Sequence, residues 1–469
     1  MDKGFTAAIA ANRFGLGARP GELAAIDGSG SEWLRAQLGG PAPEIAGEGL
    51  QSSASTLAQI YDLRRTIRAE RMRGAGTGND AAAVGAFKKL KQLIRPVYLA
   101  EAGARFSQSV ATDRPFIERL AHFWANHFAV SVDKSVLAAL AGSYEREAIR
   151  PHVLGNFTDM LLASEQHPAM LLYLDNQLSM GPDSRAARNI ARRNPSRKIG
   201  INENLARETM ELHTVGVEGG YTQSDVTAFS EVLTGWSIAG PAARWVGAQP
   251  GTFLFRAAMH EPGPQVVMGK RYPDTGYDQG AAVLRDLARR PATARFIATK
   301  LTRHFIADDP PAPAVARIAT AFAESGGDLP TVYRALIDSP EAWEQPVAKY
   351  KTPADFIVSA FRGLELPVRA DKAPVGLFQL LGQRIWGPGS PAGWPDRGAD
   401  WDGASELLKR IEWADAVGQR VGPRRDAMGL APRMLGGVLS EATREAIAHA
   451  ESAAQAIVLL LAAPEFMRR

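Results

Sequence analysis

A chain of 469 residues, 45% of them hydrophobic, is long enough to bury one large core or two to three smaller ones, and nothing marks it as disordered or fibrous. Zero cysteines exclude disulfides, thiolate chemistry and cysteine-type zinc sites, which leaves His, Asp and Glu as metal ligands. The formal charge of +4 is small for this size, so a nucleic-acid role would need a local basic patch and has no support from the average.

The N-terminal MDKGFTAAIAANRFG has no apolar run followed by a cleavage site, and no segment approaches about 18 uninterrupted apolar residues. As written, the chain is expected to be soluble and cytoplasmic. Residues 4–39 read as short helices punctuated by glycine and proline. An amphipathic helix is expected over Gln51–Arg73, broken by the glycine-rich RMRGAGTGND and resuming through Phe87, Leu90, Leu93 and Ile94. In DRPFIERLAHFWANHF, residues 113–128, Asp113 is a candidate N-cap, and Phe116, Ile117, Leu120, Phe123 and Trp124 form a core-facing stripe. Residues 181–200, with five arginines and one lysine against one aspartate and no hydrophobic period, read as a long basic loop.

Asn202–Trp236 carries the densest set of ionisable and amide groups within helical apolar spacing. Asn202 and Gly216 bound an expected helix with Leu205, Thr209 and Leu212 buried, and Asn204, Glu208 and Glu211 share a neighbouring face. Glu203 and Arg207 pair at i, i+4. Thr222 caps a second helix, with Val226, Phe229, Val232 and Leu233 inward, so the two form an antiparallel hairpin. WSI, TFLF and QVVMG, within residues 236–268, give a small antiparallel β insertion. Helices return from Gly280, interrupted by the Gly/Pro/Trp loop at 386–403. The fold class is therefore mainly α: one large multi-helical domain, 1–469, with a small antiparallel β insertion.

HFWANHF, the block from Asn202 to His213, YTQSDV, LTGW, PATARFIATKL, KTPADF and GWPDRGADW together resemble a bacterial family, domain of unknown function 1800. The resemblance spans most of the chain, from NRFG to the helix after Trp401. It implies no activity. Many members carry an export signal, often of the twin-arginine type, which this sequence lacks, so the resemblance also makes a periplasmic location an expectation.

Glu208, Glu211 and His213, with Asn204 and Arg207 beside them and His122, Asn126 and His127 on another helix, supply oxygen and nitrogen ligands suited to a divalent ion such as Zn, Mn or Mg. No HExxH pattern is present, and structural satisfaction of the same groups inside a helical core is the competing reading. Glu208 and Glu211 also suit an acid–base pair, although two residues on one helix face flank a bond poorly, which counts against a glycosidase. Trp386, Trp394 and Trp401 are sugar platforms or loop anchors; Arg192 and Arg193 capture an anion or are solvated; His260 reaches the same centre or caps a turn. Dinucleotide, kinase and Gly-x-Ser-x-Gly signatures are missing. The expectation is an enzyme, metal-assisted hydrolysis being its best-fitting form, acting on an anionic or carbohydrate-like substrate. The rival is a non-catalytic binding or assembly protein. If the enzyme reading holds, His122 or His127 lies within reach of Glu208 or Glu211.

Overall fold

Helix follows helix because apolar residues recur at three- and four-residue spacing while prolines, caps and glycines set the ends. The computed structural model describes residues 3–26, 29–73, 80–194, 196, 200–242, 247–344, 349–369 and 374–469. Pro115–His127 starts on a proline and buries Phe116, Ile117, Leu120, Phe123 and Trp124. Its cap position is Arg114, with no side-chain cap; Asp113 instead pairs with Arg19 at 2.6 Å. Pro291–Phe305 also begins on proline and buries Ile297, Leu301 and Phe305. Pro353–Gly363 is capped by Thr352, whose side chain accepts from the Asp355 N–H. Among the described residues no helix is long and apolar enough to cross a membrane.

Among the described residues two large apolar clusters result, beside a small third one of Ile60, Ile94 and Ala139. The larger gathers Phe14, Phe116, Trp124, Phe157, Trp236, Phe305 and Tyr333; the other, mostly from residues 356–467, gathers Phe356, Phe378, Leu435, Leu460 and Phe466. Trp386 packs against both. The seam between them is where the functional groups described below converge.

The β elements form two ribbons, not one sheet. β1 (Trp236–Ile238) pairs with β2 (Phe253–Phe255), and β3 (Gln265–Val267) pairs with β4 (Lys270–Tyr272), just past the expected boundary. Met268 and Gly269, at φ 47° and 79°, make the β3–β4 turn, and the Met268 N–H is held by Asp225 Oδ1 at 2.6 Å.

The central hairpin forms with one difference. Asn202 Oδ1 accepts from the Asn204 N–H at 2.9 Å, but the α-helix covers only Asn204–Glu208 and widens into a π-helical turn over Thr209–His213. The wider turn turns Thr209, Met210 and His213 all into the core, which α-helical spacing alone does not foretell. Gly216, at φ 81°, ends it. Thr222 and Asp225 form a capping box for Gln223–Val232.

The basic segment is helical over Arg185–Arg193, where a loop was expected. Ser184 caps it by accepting from the Ala187 N–H, and only Ala187 is buried, so it needs no apolar stripe. The glycine-rich break at 74–79 lies outside the described residues, as do 195 and 197–199 of the basic segment.

Candidate functional site

A cavity of about 340 Å³ opens at the seam between the two clusters. The Pro115–His127 helix brings His122, Asn126 and His127 to it, the Pro291–Phe305 helix brings Lys300 and His304 at i, i+4, and the 386–403 loop brings Trp386, Trp394 and Asp396. Asn126 clamps the loop in both directions: its amide donates to the Trp394 carbonyl at 2.9 Å and its Oδ1 accepts the Trp394 N–H at 2.7 Å. Gly393, at φ 81°, makes this approach possible, since a Cβ there would lie 2.3 Å from the Asn126 carbonyl oxygen. HFWANHF and GWPDRGADW are thus two halves of one structure.

His304 and Asp396 form a dyad. The imidazole Nδ1 lies 3.0 and 3.1 Å from the two carboxylate oxygens, and Nε2, shielded at the cavity wall, has no partner among the described residues. An ionised carboxylate only accepts, so Nδ1 carries the proton and Nε2 a bare lone pair. Burial pushes the His304 pKa down to about 4 in spite of Asp396. Burial alone would raise the Asp396 carboxyl; the His304 N–H and the Lys349 ammonium, 3.7 Å away, more than offset it and hold it well below the usual range.

Lys300 differs from the cavity's other cations. Arg105 pairs with Glu145 at 2.7 Å, Arg119 with Asp355 at 3.1 Å, Arg397 with Asp309 at 3.3 Å, and Arg384 with Asp133, while Arg303 donates to the Asp308 carbonyl at 3.4 Å. Among the described residues Lys300 makes no hydrogen bond or ion pair; its ammonium stands 5.6 Å from the centre of the Phe296 ring. Burial brings its pKa down to about 8, with Asp396 opposing and Arg303 adding to the shift.

Two further imidazoles complete the wall. His127 Nε2 donates to the His213 carbonyl at 3.1 Å, which leaves its buried Nδ1 without a partner. Burial, then Lys300, hold its pKa well below the ordinary value. His122 Nε2 meets Ser109 Oγ at 3.1 Å and Glu118 at 3.3 Å, and burial lowers its pKa too. Asp355, on the cavity lining, pairs with two buried guanidiniums, Arg119 and Arg469, the latter at 3.1 Å, and Asp396 acts on the same pair of cations. Around the whole lining the cationic side chains Arg105, Arg119, Lys300, Arg303, Arg384 and Arg397 outnumber the carboxylates Asp355, Asp396 and Asp400.

The residues expected as a centre divide into groups. His122, His127, Trp386 and Trp394 line the cavity; Trp401 backs Trp394 with ring centroids 5.9 Å apart and donates to the Pro395 carbonyl at 3.0 Å. Glu208, Glu211, Asn204 and Arg207 do not line it. Arg207 links Glu203 at 3.1 Å to Glu211 at 3.4 Å, and Asn204 is exposed. Glu208 is half-buried with no hydrogen bond or ion pair among the described residues; burial raises its pKa, His213 opposes, and Glu211 adds. His213 is fully buried with Nδ1 2.7 Å from Glu165 Oε1, and its Nε2 and Glu165 Oε2 are both unpartnered. Among the described residues no hydrogen bond or ion pair joins His122 or His127 to Glu208 or Glu211; His213 stands between the two groups. Arg192 and Arg193 are exposed on their own helix. His260 is held by the Thr234 carbonyl at 3.0 Å and Gln279 at 3.1 Å, and is absent from the cavity lining.

Lys300, His304 and Asp396 were not singled out from sequence. Their signal was present: PATARFIATKL and GWPDRGADW each carry one half, and Lys300 and His304 lie one turn apart, off the stripe of Ile297, Leu301 and Phe305. No spacing rule connects His304 to a residue 92 positions away. Among the described residues no group of three or more His, Asp or Glu side chains is arranged to hold a metal ion.

A family model described as "Protein of unknown function (DUF1800)" matches residues 9–468. No curated protein and no solved structure matches the chain.

Proposed function

Because the chain belongs to the DUF1800 family, whose description assigns no activity, we propose from its geometry that it is an enzyme acting by proton transfer on a small anionic substrate held in the seam cavity. The observation that carries this is the placing of an unpaired lysine one helical turn from an imidazole oriented by a carboxylate. An imidazole held by a carboxylate, its second nitrogen unpartnered and neutral at working pH, has what a general base needs. Lys300 and the lining's excess of cationic over anionic side chains supply the attraction for an anion. Trp386 and Trp394 offer flat walls beside it. His127 keeps an unpartnered Nδ1, and its ring feels the Lys300 charge. Glu208 and Glu211 lie outside this centre, on the far side of His213.

The test is a calorimetric and thermal-shift panel of phosphate, sulfate, mono- and dicarboxylates, followed by proton NMR of the tightest binder over time. Binding by the parent, at least ten-fold weakened in Lys300→Met and retained without turnover in His304→Gln, is the expected pattern. Binding unaffected by Lys300→Met would remove the cavity as the site. Binding without any chemical change of the ligand would turn the assignment to the non-catalytic alternative.

A further inference from the structure

We propose that Lys300 forms a covalent imine with small carboxylates that carry an aldehyde or ketone, so that the cavity's substrate class is the 2-oxo acids. This rests on the anionic-substrate reading above and sharpens it.

Three observations lead there. Each arginine compared above is tied to a carboxylate and Arg303 to a backbone carbonyl, while Lys300, on the cavity lining, has only the ring of Phe296 near its amine and no hydrogen bond or ion pair among the described residues. A lysine serving as a permanent counter-ion would be paired; one left beside an apolar wall is available as a nucleophile. At a pKa of about 8, roughly a tenth of it is uncharged at pH 7. Second, His304 follows one helical turn later, its Nδ1 fixed by Asp396 and its Nε2 bare. Third, the lining's excess of cationic over anionic side chains favours a carboxylate in the same cavity.

The chemistry balances without an oxidant or reductant. The neutral amine attacks the carbonyl carbon, a C–N bond forms, and the C=O π pair moves to oxygen. His304 Nε2 carries the two amine protons, one after the other, to that oxygen. The oxygen leaves as water while the nitrogen lone pair closes the C=N bond, giving a neutral imine.

Trapping tests this directly. The full chain is incubated with glyoxylate or pyruvate, reduced with sodium borohydride, and read by intact mass and peptide mapping. One reduced adduct, located at Lys300 and absent from Lys300→Arg, is expected, with trapping half-maximal near pH 8, where surface lysines remain protonated. His304→Gln is expected to slow trapping at least ten-fold while folding normally by circular dichroism. No adduct at Lys300 with either acid, or labelling spread evenly over surface lysines, overturns the proposal. Calorimetry on the same two acids keeps the readings apart. Binding without trapping sinks the imine and leaves the anion site standing, whereas failure of both sinks the two together.

Discussion

His304 meets Asp396 through two contacts of nearly equal length, 3.0 and 3.1 Å from one ring nitrogen, although the residues are 92 positions apart. A single N–H shared between two oxygens fixes the plane of the ring as well as its tautomer. Asp396→Asn retains the shape but offers an N–H₂ group, and the favourable response is for the imidazole to move its proton to Nε2. The lone pair is then lost. Turnover, or imine trapping at Lys300, should fall by two or more orders of magnitude while circular dichroism stays unchanged. A variant that keeps its rate would exclude His304 as the base.

Acid should destabilise the fold through the same residue. The folded pKa of His304 is depressed, from 6.5 to about 4, so between those values the unfolded chain binds the extra proton. Its contribution is intact above pH 6.5 and is lost as pH falls toward 4. At 1.36 kcal/mol per pKa unit this depression corresponds to at most about 3–4 kcal/mol. His122 and His127 push in the same direction. The measurement is therefore the difference in urea stability between parent and His304→Gln from pH 7 to pH 4, which should narrow as pH falls; a constant difference would contradict it.

The His213–Glu165 pair is buried to 0% and 1% exposure, and its role should be read in stability. Removing either partner leaves the other as a buried, unpaired polar group, at about 1–3 kcal/mol. His213→Gln and Glu165→Gln should each lower the melting temperature, and the double variant should cost less than their sum. Strict additivity would mean that the 2.7 Å contact contributes nothing of its own.

How far the chain revealed itself follows from the range of the signals involved. Thr222, Asn202 and the buried stripe of Pro115–His127 act within a few residues, so caps and spacing expose them. The Thr209–His213 π turn depends on how Thr209 and Thr214 bond their own backbone inside a packed core, a choice made by the neighbours. The Arg185–Arg193 helix was missed because an exposed helix with one buried alanine shows no period. For the site, His122 and His127 were found because their helix advertises itself. Lys300 and Asp396 were passed over because an unpaired lysine and a loop aspartate look ordinary until folding sets one in a cavity and the other against an imidazole.

Glu208→Gln separates a strained surface acid from a structural one. A carboxyl whose pKa is raised by burial costs stability while ionised, so the amide should melt at the same temperature or higher at pH 7, and the difference should vanish as pH falls toward 4. Glu211→Gln weakens the partly exposed contacts with Arg207 and Tyr221, and should stay within about 0.5 kcal/mol. Clear losses in both variants would show a structural network at this face.

Asp355 should be the costliest single charge to remove. Asp355→Asn strands two buried guanidiniums and should cost about 3–5 kcal/mol, whereas Arg469→Met leaves the Arg119 pair whole and should cost clearly less. The comparison is made by urea denaturation; equal losses would mean that Arg469 carries as much of the balance as Arg119.

Arg469 also has a consequence in time. Its backbone N–H donates to the Lys349 carbonyl at 2.8 Å and its guanidinium lies 3.5 Å from the Arg13 carbonyl, closing 456 residues of chain into a ring. Contacts so remote in sequence are entropically late to form, and they slow folding more than they stabilise its product. The Arg119–Asp355–Arg469 cluster is therefore expected among the last contacts to form. The charges that would hold a substrate come into register only after both clusters have condensed, so a half-folded chain exposes neither a competent base nor an organised anion trap.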